Sequence, residues 1–261
     1  MHARDVLLAL LGALVAVSLG SQGVWAQQSH RYPAWFRTPP SGNGALWAVG
    51  YAPSYSDLQD GTPKAKADAY EALRRAVRVV VIGEKLYEAA PGYGTALQGE
   101  NFVETGLPDT LRSVTYVDSL RAGDMTLVLA RWSESGAASA PPAPSSRASF
   151  SKTPPSWVKN ELTGGQAGDD RDPKRAVGIA PRYYNLETSW RLAEKRARRK
   201  IAFKAATKVE SLDKSTQAYR HDVRSVTTGV DLRRVQVLAR WADEENCYVL
   251  TTARVEEVLL K

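Results

Sequence analysis

Apolar residues recur at helical spacing in two stretches of the chain and at strand spacing in several more, in the same order in each half. Ala65, Ala69, Ala72, Leu73, Ala76 and Val80 form one stripe with a period near 3.6 and predict a helix. Thr62-Pro63 is the expected start, an N-cap residue followed by proline at the first helical position. The end is open. Val77 to Ile82 is mostly β-branched and reads either as a last turn or as a strand leaving the helix. In the second half Leu186, Trp190, Ala193, Ala197, Ile201, Ala205 and Leu212 predict a longer helix. The alanines on both stripes allow each helix to sit close to a sheet.

Trp47 to Tyr51 and Ala176 to Ala180 read as short strands, each preceding a helix and closed by Gly and Pro. After each helix comes a hairpin rich in β-branched and aromatic residues. In the first half Val114 to Val117 and Met125 to Trp132 flank Arg121-Ala122-Gly123-Asp124. In the second, Val235 to Trp241 and Cys247 to Val255 flank the polar loop Ala242 to Asn246. A helix beside antiparallel pairs, made twice, predicts an α+β fold of two tandem repeats, each a helix packed on a small, mainly antiparallel sheet.

The repetition extends to words. Pro33-Ala34-Trp35 is echoed by Pro155-Ser156-Trp157, and Ala48-Val49-Gly50-Tyr51-Ala52-Pro53 by Ala176-Val177-Gly178-Ile179-Ala180-Pro181. Leu111 to Val114 matches Leu232 to Val235, and Leu127 to Trp132 matches Leu250 to Val255. The offsets of these pairs run from 121 to 128 residues, with the differences where loops belong. Leu129-Ala130-Arg131-Trp132 is also identical to Leu238-Ala239-Arg240-Trp241, a pairing that breaks the order of the others. Between the halves lies a Pro/Ala/Ser-rich segment around Pro141-Pro142-Ala143-Pro144, with too little apolar surface to offset the entropy of ordering it. The expected division is 1–26 as a signal peptide, 27–135 as a first domain, 136–153 as a linker and 154–261 as a second domain.

The signal rests on the apolar run Val6 to Leu19, short for a membrane span, and on the small-x-small site Val24-Trp25-Ala26. The alternative is an uncleaved anchor helix. Cleavage gives an exported protein, periplasmic or outer-membrane associated, with no transmembrane span left. Cys247 is the one cysteine, so no disulfide forms within the chain, and its place in an apolar strand marks it as a buried thiol. The net charge of +7 is uneven. Residues 27–135 carry 11 Lys/Arg against 12 Asp/Glu, and residues 136–261 carry 23 against 15. A basic second half points to envelope proteins, an anionic envelope lipid or polysaccharide, or ordinary solubility charge. Export argues against nucleic acid.

The Pro-x-Trp entry, the Ala48-Val49-Gly50 strand, the alanine-rich helix and the terminal apolar hairpin together resemble the LPP-twenty family of bacterial envelope lipoproteins. That family looks related to the N-terminal domain of the flagellar assembly protein FlgT. The resemblance covers both halves and implies an envelope protein without known catalysis, serving outer-membrane or flagellar assembly. It carries no site residues over, because the matching positions are core or turn residues. The chain lacks the lipidated cysteine of the family's lipoprotein members.

Chemical motifs are few, and the expectation is a protein that is not an enzyme, with no cofactor and no metal. One cysteine and the mature histidines His30 and His221 are too few for a nitrogen/sulfur zinc site or a plausible Ser-His-Asp set. Asp169-Asp170-Arg171-Asp172 offers oxygens but not the spacing of a calcium loop. Glu244 and Glu245 sit on a hairpin tip, where water limits any shift in acidity. Gly92-x-Gly94 lacks the rest of a phosphate-loop pattern.

The remaining signal is the second helix, crowded with Lys195, Arg196, Arg198, Arg199, Lys200, Lys204 and Lys208. At about 100° per residue, Leu192, Arg196, Arg199 and Phe203 fall on the arc opposite the core stripe. Large apolar residues inside a cationic arc are a candidate contact face for a partner or a lipid surface. The competing expectation is that Leu192 and Phe203 are covered by the linker or by the first half.

Overall fold

A computed structural model describes residues 31–41, 44–53, 58–90, 94–134, 146–163, 174–213 and 224–260. Their elements run β1 (Tyr32–Pro33), α1 (Ala34–Arg37), β2 (Leu46–Pro53), α2 (Leu58–Val77), β3 (Arg78–Ala90), β4 (Gly94–Thr105), β5 (Thr115–Ala122) and β6 (Met125–Trp132). They continue with β7 (Arg147–Ala148), α3 (Ser156–Leu162), β8 (Lys174–Pro181), α4 (Leu186–Asp213), β9 (Arg224–Ala242) and β10 (Asn246–Leu260). The expected signal, most of the Pro/Ala/Ser segment, Asp169 to Asp172, His30 and His221 lie outside the described residues.

The fold is α+β, and the strand pairings among the described residues are antiparallel. One sheet has the order β2-β6-β5 and another the order β4-β3-β9-β10-β8, while β1 and β7 make a two-stranded pair. Strand, helix and a closing antiparallel pair occur in each half. The strand before the helix lies beside the last strand in both cases, β2 on β6 and β8 on β10. Val49 pairs with Leu129 and Val177 with Leu250. That register sets Leu129 against Leu250, two residues away from the word match of Ala130 with Ala253. An even slip keeps every side chain on its face of the strand, so the words align either way.

Glycine and alanine decide how close the helices come. A Cβ on Gly50 would lie 2.0 Å from the Ala65 carbonyl oxygen and 2.3 Å from the Ala69 nitrogen of α2. A Cβ on Gly178 would lie 1.8 Å from the Ala193 oxygen and 2.5 Å from the Ala197 nitrogen of α4. Backbone therefore touches backbone at both crossings, which only glycine permits. Ala65, Ala69, Leu73 and Ala76 are buried against Leu46, Ala52, Val128 and Ala130 of β2 and β6. The stripe expected on α4 is buried from Leu186 through Trp190, Ala193, Ala197 and Ile201 to Ala205.

Two local expectations change. α2 begins at Leu58, so Thr62 is not its cap and Pro63 lies inside the helix. Proline there removes only the bond to the carbonyl four residues back, within the first two turns, where few intrahelical bonds exist to lose. The open end of the helix resolves at Val77, after which the β-branched run forms β3. The Pro-x-Trp words both open a short helix: Pro33 and Pro155 have φ −65° with ψ 156° and 160°, and α1 and α3 follow them.

The halves share a sheet. β3 continues from α2 as a long hairpin with β4 and pairs with β9 from Arg78↔Arg233 to Tyr87↔Arg224. The described residues accordingly make one compact unit rather than one sheet per half. Residues 146–153, expected as linker, are also built in: β7 pairs with β1, and the Phe150 ring lies 5.0 Å from Tyr32 and 5.8 Å from Trp190. The central core takes Trp35, Phe36, Val49, Tyr51, Leu127 and Leu129 from the first half and Leu186, Trp190, Cys247 and Val249 from the second.

Gly178→Ala forces the β8–α4 crossing apart and is expected to cost about 3 kcal/mol or more, the upper end for overpacking, because the obstacle is backbone. Gly229→Ala meets Leu259 at an ordinary 3.7 Å and serves as the control, with a loss under about 1 kcal/mol. Urea unfolding of the two variants checks the contrast.

Candidate functional site

Two polar constellations stand out, one buried and one open. The buried one joins four distant segments. Arg240 of β9 donates through Nη2 to Glu194 Oε1 at 2.7 Å and through Nη1 to the Phe36 carbonyl at 2.9 Å. The Tyr51 hydroxyl donates to the same Glu194 oxygen at 2.5 Å. The guanidinium lies 5.0 Å from the Phe36 ring centroid and 5.8 Å from that of Tyr51. Burial pushes the Tyr51 phenol well above its ordinary value, so it acts as a neutral donor. Around this centre Arg191 bonds Asp68 at 3.1 Å and the Tyr51 carbonyl at 2.5 Å, and Asp68 also accepts from the Tyr51 amide at 2.8 Å. Desolvation raises the Asp68 pKa despite the Arg191 charge. Arg198 holds Glu104 with two bonds of 2.9 and 3.1 Å.

A cavity of about 30 Å³ adjoins Glu194, Arg240, Arg75 and Arg198. That volume suits a water molecule, not a substrate. The cluster is a structural joint: Arg240 and Glu194 bond β9 to α4, and Phe36, Tyr51, Asp68 and Glu104 tie these two elements to the first half.

The open constellation is a cleft of about 370 Å³ lined by Phe102, Arg196, Arg199, Lys200 and Phe203. α4 presents the cations at i, i+3 and i+4, one patch of its surface. Arg196 Nη1 donates to the Ile179 carbonyl of β8 at 2.6 Å, and Arg199 Nη2 to the Phe102 carbonyl of β4 at 3.0 Å. Arg199 also lies 5.7 Å from the centroid of the Phe102 ring. Lys200 pairs with Glu161 of α3. Phe102 is held from below: it is the cross-strand partner of Gly83, and a Cβ on Gly83 would fall 2.3 Å from the ring.

Of the four residues expected on the contact arc, Arg196, Arg199 and Phe203 meet in this cleft. Leu192 does not; it packs, partly buried, against the core around Trp190. Arg198, on the same helix, faces inward to Glu104 and is structural. Sequence reasoning missed Phe102, because β4 pairs across the sheet only through β3, and it missed Tyr51, Glu194 and Arg240 as a set. The signal for that set was a lone glutamate and a lone arginine within otherwise apolar stripes.

Among the described residues no three His, Cys, Asp or Glu side chains come together as metal ligands do. Cys247 is buried, and burial pushes its thiol up to about 12. The tip carboxylates Glu244 and Glu245 are both exposed beside Asp243, whose Oδ1 caps the turn by accepting from the Glu245 and Asn246 amides. No helix among the described residues is long and apolar enough to cross a membrane. Compared with family models, curated protein sequences and solved structures, the chain matches none.

Replacing Arg240 by Met leaves the Glu194 carboxylate buried without its cation and is expected to cost about 3–5 kcal/mol in urea unfolding. The double replacement Arg240→Met/Glu194→Met leaves no charge stranded and is expected to cost less than Arg240→Met alone, a non-additivity that a double-mutant cycle reads directly. Iodoacetamide at neutral pH is expected to label Cys247 only as fast as the chain opens, so that labelling tracks global unfolding across a urea series. Rapid labelling of the folded chain would show that the thiol is not enclosed.

Proposed function

We propose that this chain is a non-enzymatic exported protein of the bacterial cell envelope, acting by protein or surface contacts and built by duplication of an LPP-twenty-like unit. The family resemblance offers outer-membrane or flagellar assembly as its setting. The shared order of elements in the two halves supports duplication, as do the matching glycine crossings at Gly50 and Gly178 and the matching proline-led turns.

The observation that carries the contact role is the α4 cleft. Three arginines of the second half are bonded to carboxylates within the molecule, Arg191 to Asp68, Arg198 to Glu104 and Arg240 to Glu194. Arg196 and Arg199 are different. Each is anchored to a main-chain carbonyl, which orients the guanidinium without neutralising it, and each borders an open cleft. Oriented, uncompensated cations beside two phenyl rings favour a second reading within the same class: a binding module for anionic envelope lipid or polysaccharide.

Fractionation of cells tests the role. Charge-driven attachment predicts an envelope-bound protein released by salt; a scaffold predicts partners that crosslink in native cells and resist salt. Arg196 is exposed, so Arg196→Glu is expected to leave the melting temperature within a degree or two. The same change removes roughly 2 kcal/mol of attraction, on the order of thirtyfold in association, because one positive charge becomes negative. Each reversal loses one carbonyl bond, but that of Arg199 is the poorer probe, since Arg199 is half-buried and also loses its ring contact to Phe102. Recovery of the chain with the cytosol, or attachment indifferent to Arg196→Glu and to crosslinked partners alike, would overturn the proposal.

A further inference from the structure

We infer that the α4 cleft is a binding site for a phosphate ester, with the oxyanion on Arg196, Arg199 and Lys200 and the organic part of the ester against Phe102 and Phe203. This rests on the reading of the cleft as a contact site, and it adds the ligand's chemistry.

The first argument is charge. Like charges at i, i+3 and i+4 on a helix repel, so the trio Arg196, Arg199 and Lys200 is a standing cost in the free protein. Among the described residues, Glu161 is the carboxylate bonded to it, and it sits on Lys200. The guanidinium groups of the other two donate to the carbonyls of Ile179 and Phe102. An anion bridging the trio removes the repulsion.

The second argument is geometry. A guanidinium has five donors, so one bond to a carbonyl leaves a face of each arginine able to bind further acceptors. Three cations around one cleft match a tetrahedral oxyanion, which has an oxygen for each, better than a carboxylate, which has two. Arginine forks are the usual partners of phosphate oxygens. The carbonyl anchors also pre-orient the side chains, which lowers the entropy lost on binding.

The third argument is the wall. Phe102 is fixed over Gly83 and under Arg199, and Phe203 lines the same cleft. Both rings are partly buried; the organic part of an ester would cover what they leave open to the cleft, which bare phosphate would not. About 370 Å³ falls within the usual size of small-ligand sites and holds one head group rather than a polymer strand.

The test uses the purified chain from residue 27 onward. Calorimetric titrations with phenyl phosphate, inorganic phosphate and phenylacetate are expected to rank phenyl phosphate first. Arg196→Gln and Lys200→Gln are each expected to weaken phenyl phosphate on the order of tenfold. Phe203→Ala is expected to weaken phenyl phosphate while leaving inorganic phosphate unchanged. Thermal melts of each variant separate loss of binding from loss of fold, and Arg196→Gln, at an exposed position, keeps the test valid if Phe203→Ala unfolds.

Flotation with vesicles of pure phosphatidylglycerol and of pure phosphatidylcholine then identifies the source. Arg196-dependent flotation on phosphatidylglycerol alone assigns the site to a lipid head group; binding of phenyl phosphate without flotation assigns it to a soluble ester. Phenylacetate binding as tightly as phenyl phosphate, or phenyl phosphate binding that ignores Arg196 and Lys200, overturns the inference. In that event envelope association that still depends on Arg196 would leave the contact role standing.

Discussion

The molecule depends on the pairing of Arg240 with Glu194. Both side chains are almost fully withdrawn from water, at 1% and 10% exposure, so neither charge is tolerable without the other. To keep them paired, β9 must lie beside α4, α1 must bring its Phe36 carbonyl, and β2 must bring Tyr51. Four segments spread over two hundred residues are thereby fixed at one point. Hydrophobic burial supplies the driving force around it, but burial is indifferent to exact position. The pair supplies the register, since a slip of either element strands a charge in the core.

The surrounding bridges follow the same logic. Arg191 with Asp68 and Arg198 with Glu104 run from α4 to the first half, and Arg78 with Asp231 runs back from β3 to β9. The contrast in net charge between the halves is in part this internal pairing. Arg196, Arg199 and Lys200 of α4 instead border the open cleft, and of the three it is Lys200 that is bonded to a carboxylate, that of Glu161.

The elements were legible in the sequence because they rest on local period. The alanine stripes, the glycine-centred strands and the final hairpin each announce themselves within about fifteen residues. The assembly was not legible, because it rests on partners far apart in the chain. β9 begins at Arg224, well before the expected run Val235 to Trp241, and its first part carries Gly229 and Asp231. Asp231 belongs in a strand only because Arg78, 153 residues away, meets it. Gly83 is likewise explained only by a distant partner, the Phe102 ring laid across it. Pro63 misled by a different route: its position marks the early part of a helix, but not which turn. Of the contact arc, helical geometry placed Arg196, Arg199 and Phe203 together, while Leu192 packs, partly buried, against the central core.

Native-state hydrogen exchange tests most directly whether the two halves are one cooperative body. Amides of Val49 and Val128 report the β2–β6 pair, and those of Val177 and Val249 report β8–β10. If the Arg240 joint makes the halves interdependent, both pairs open with the same free energy and the same urea dependence, equal to those of global unfolding. Opening of β2–β6 at a distinctly lower free energy, with β8–β10 still protected, would contradict the account and show two domains that merely touch.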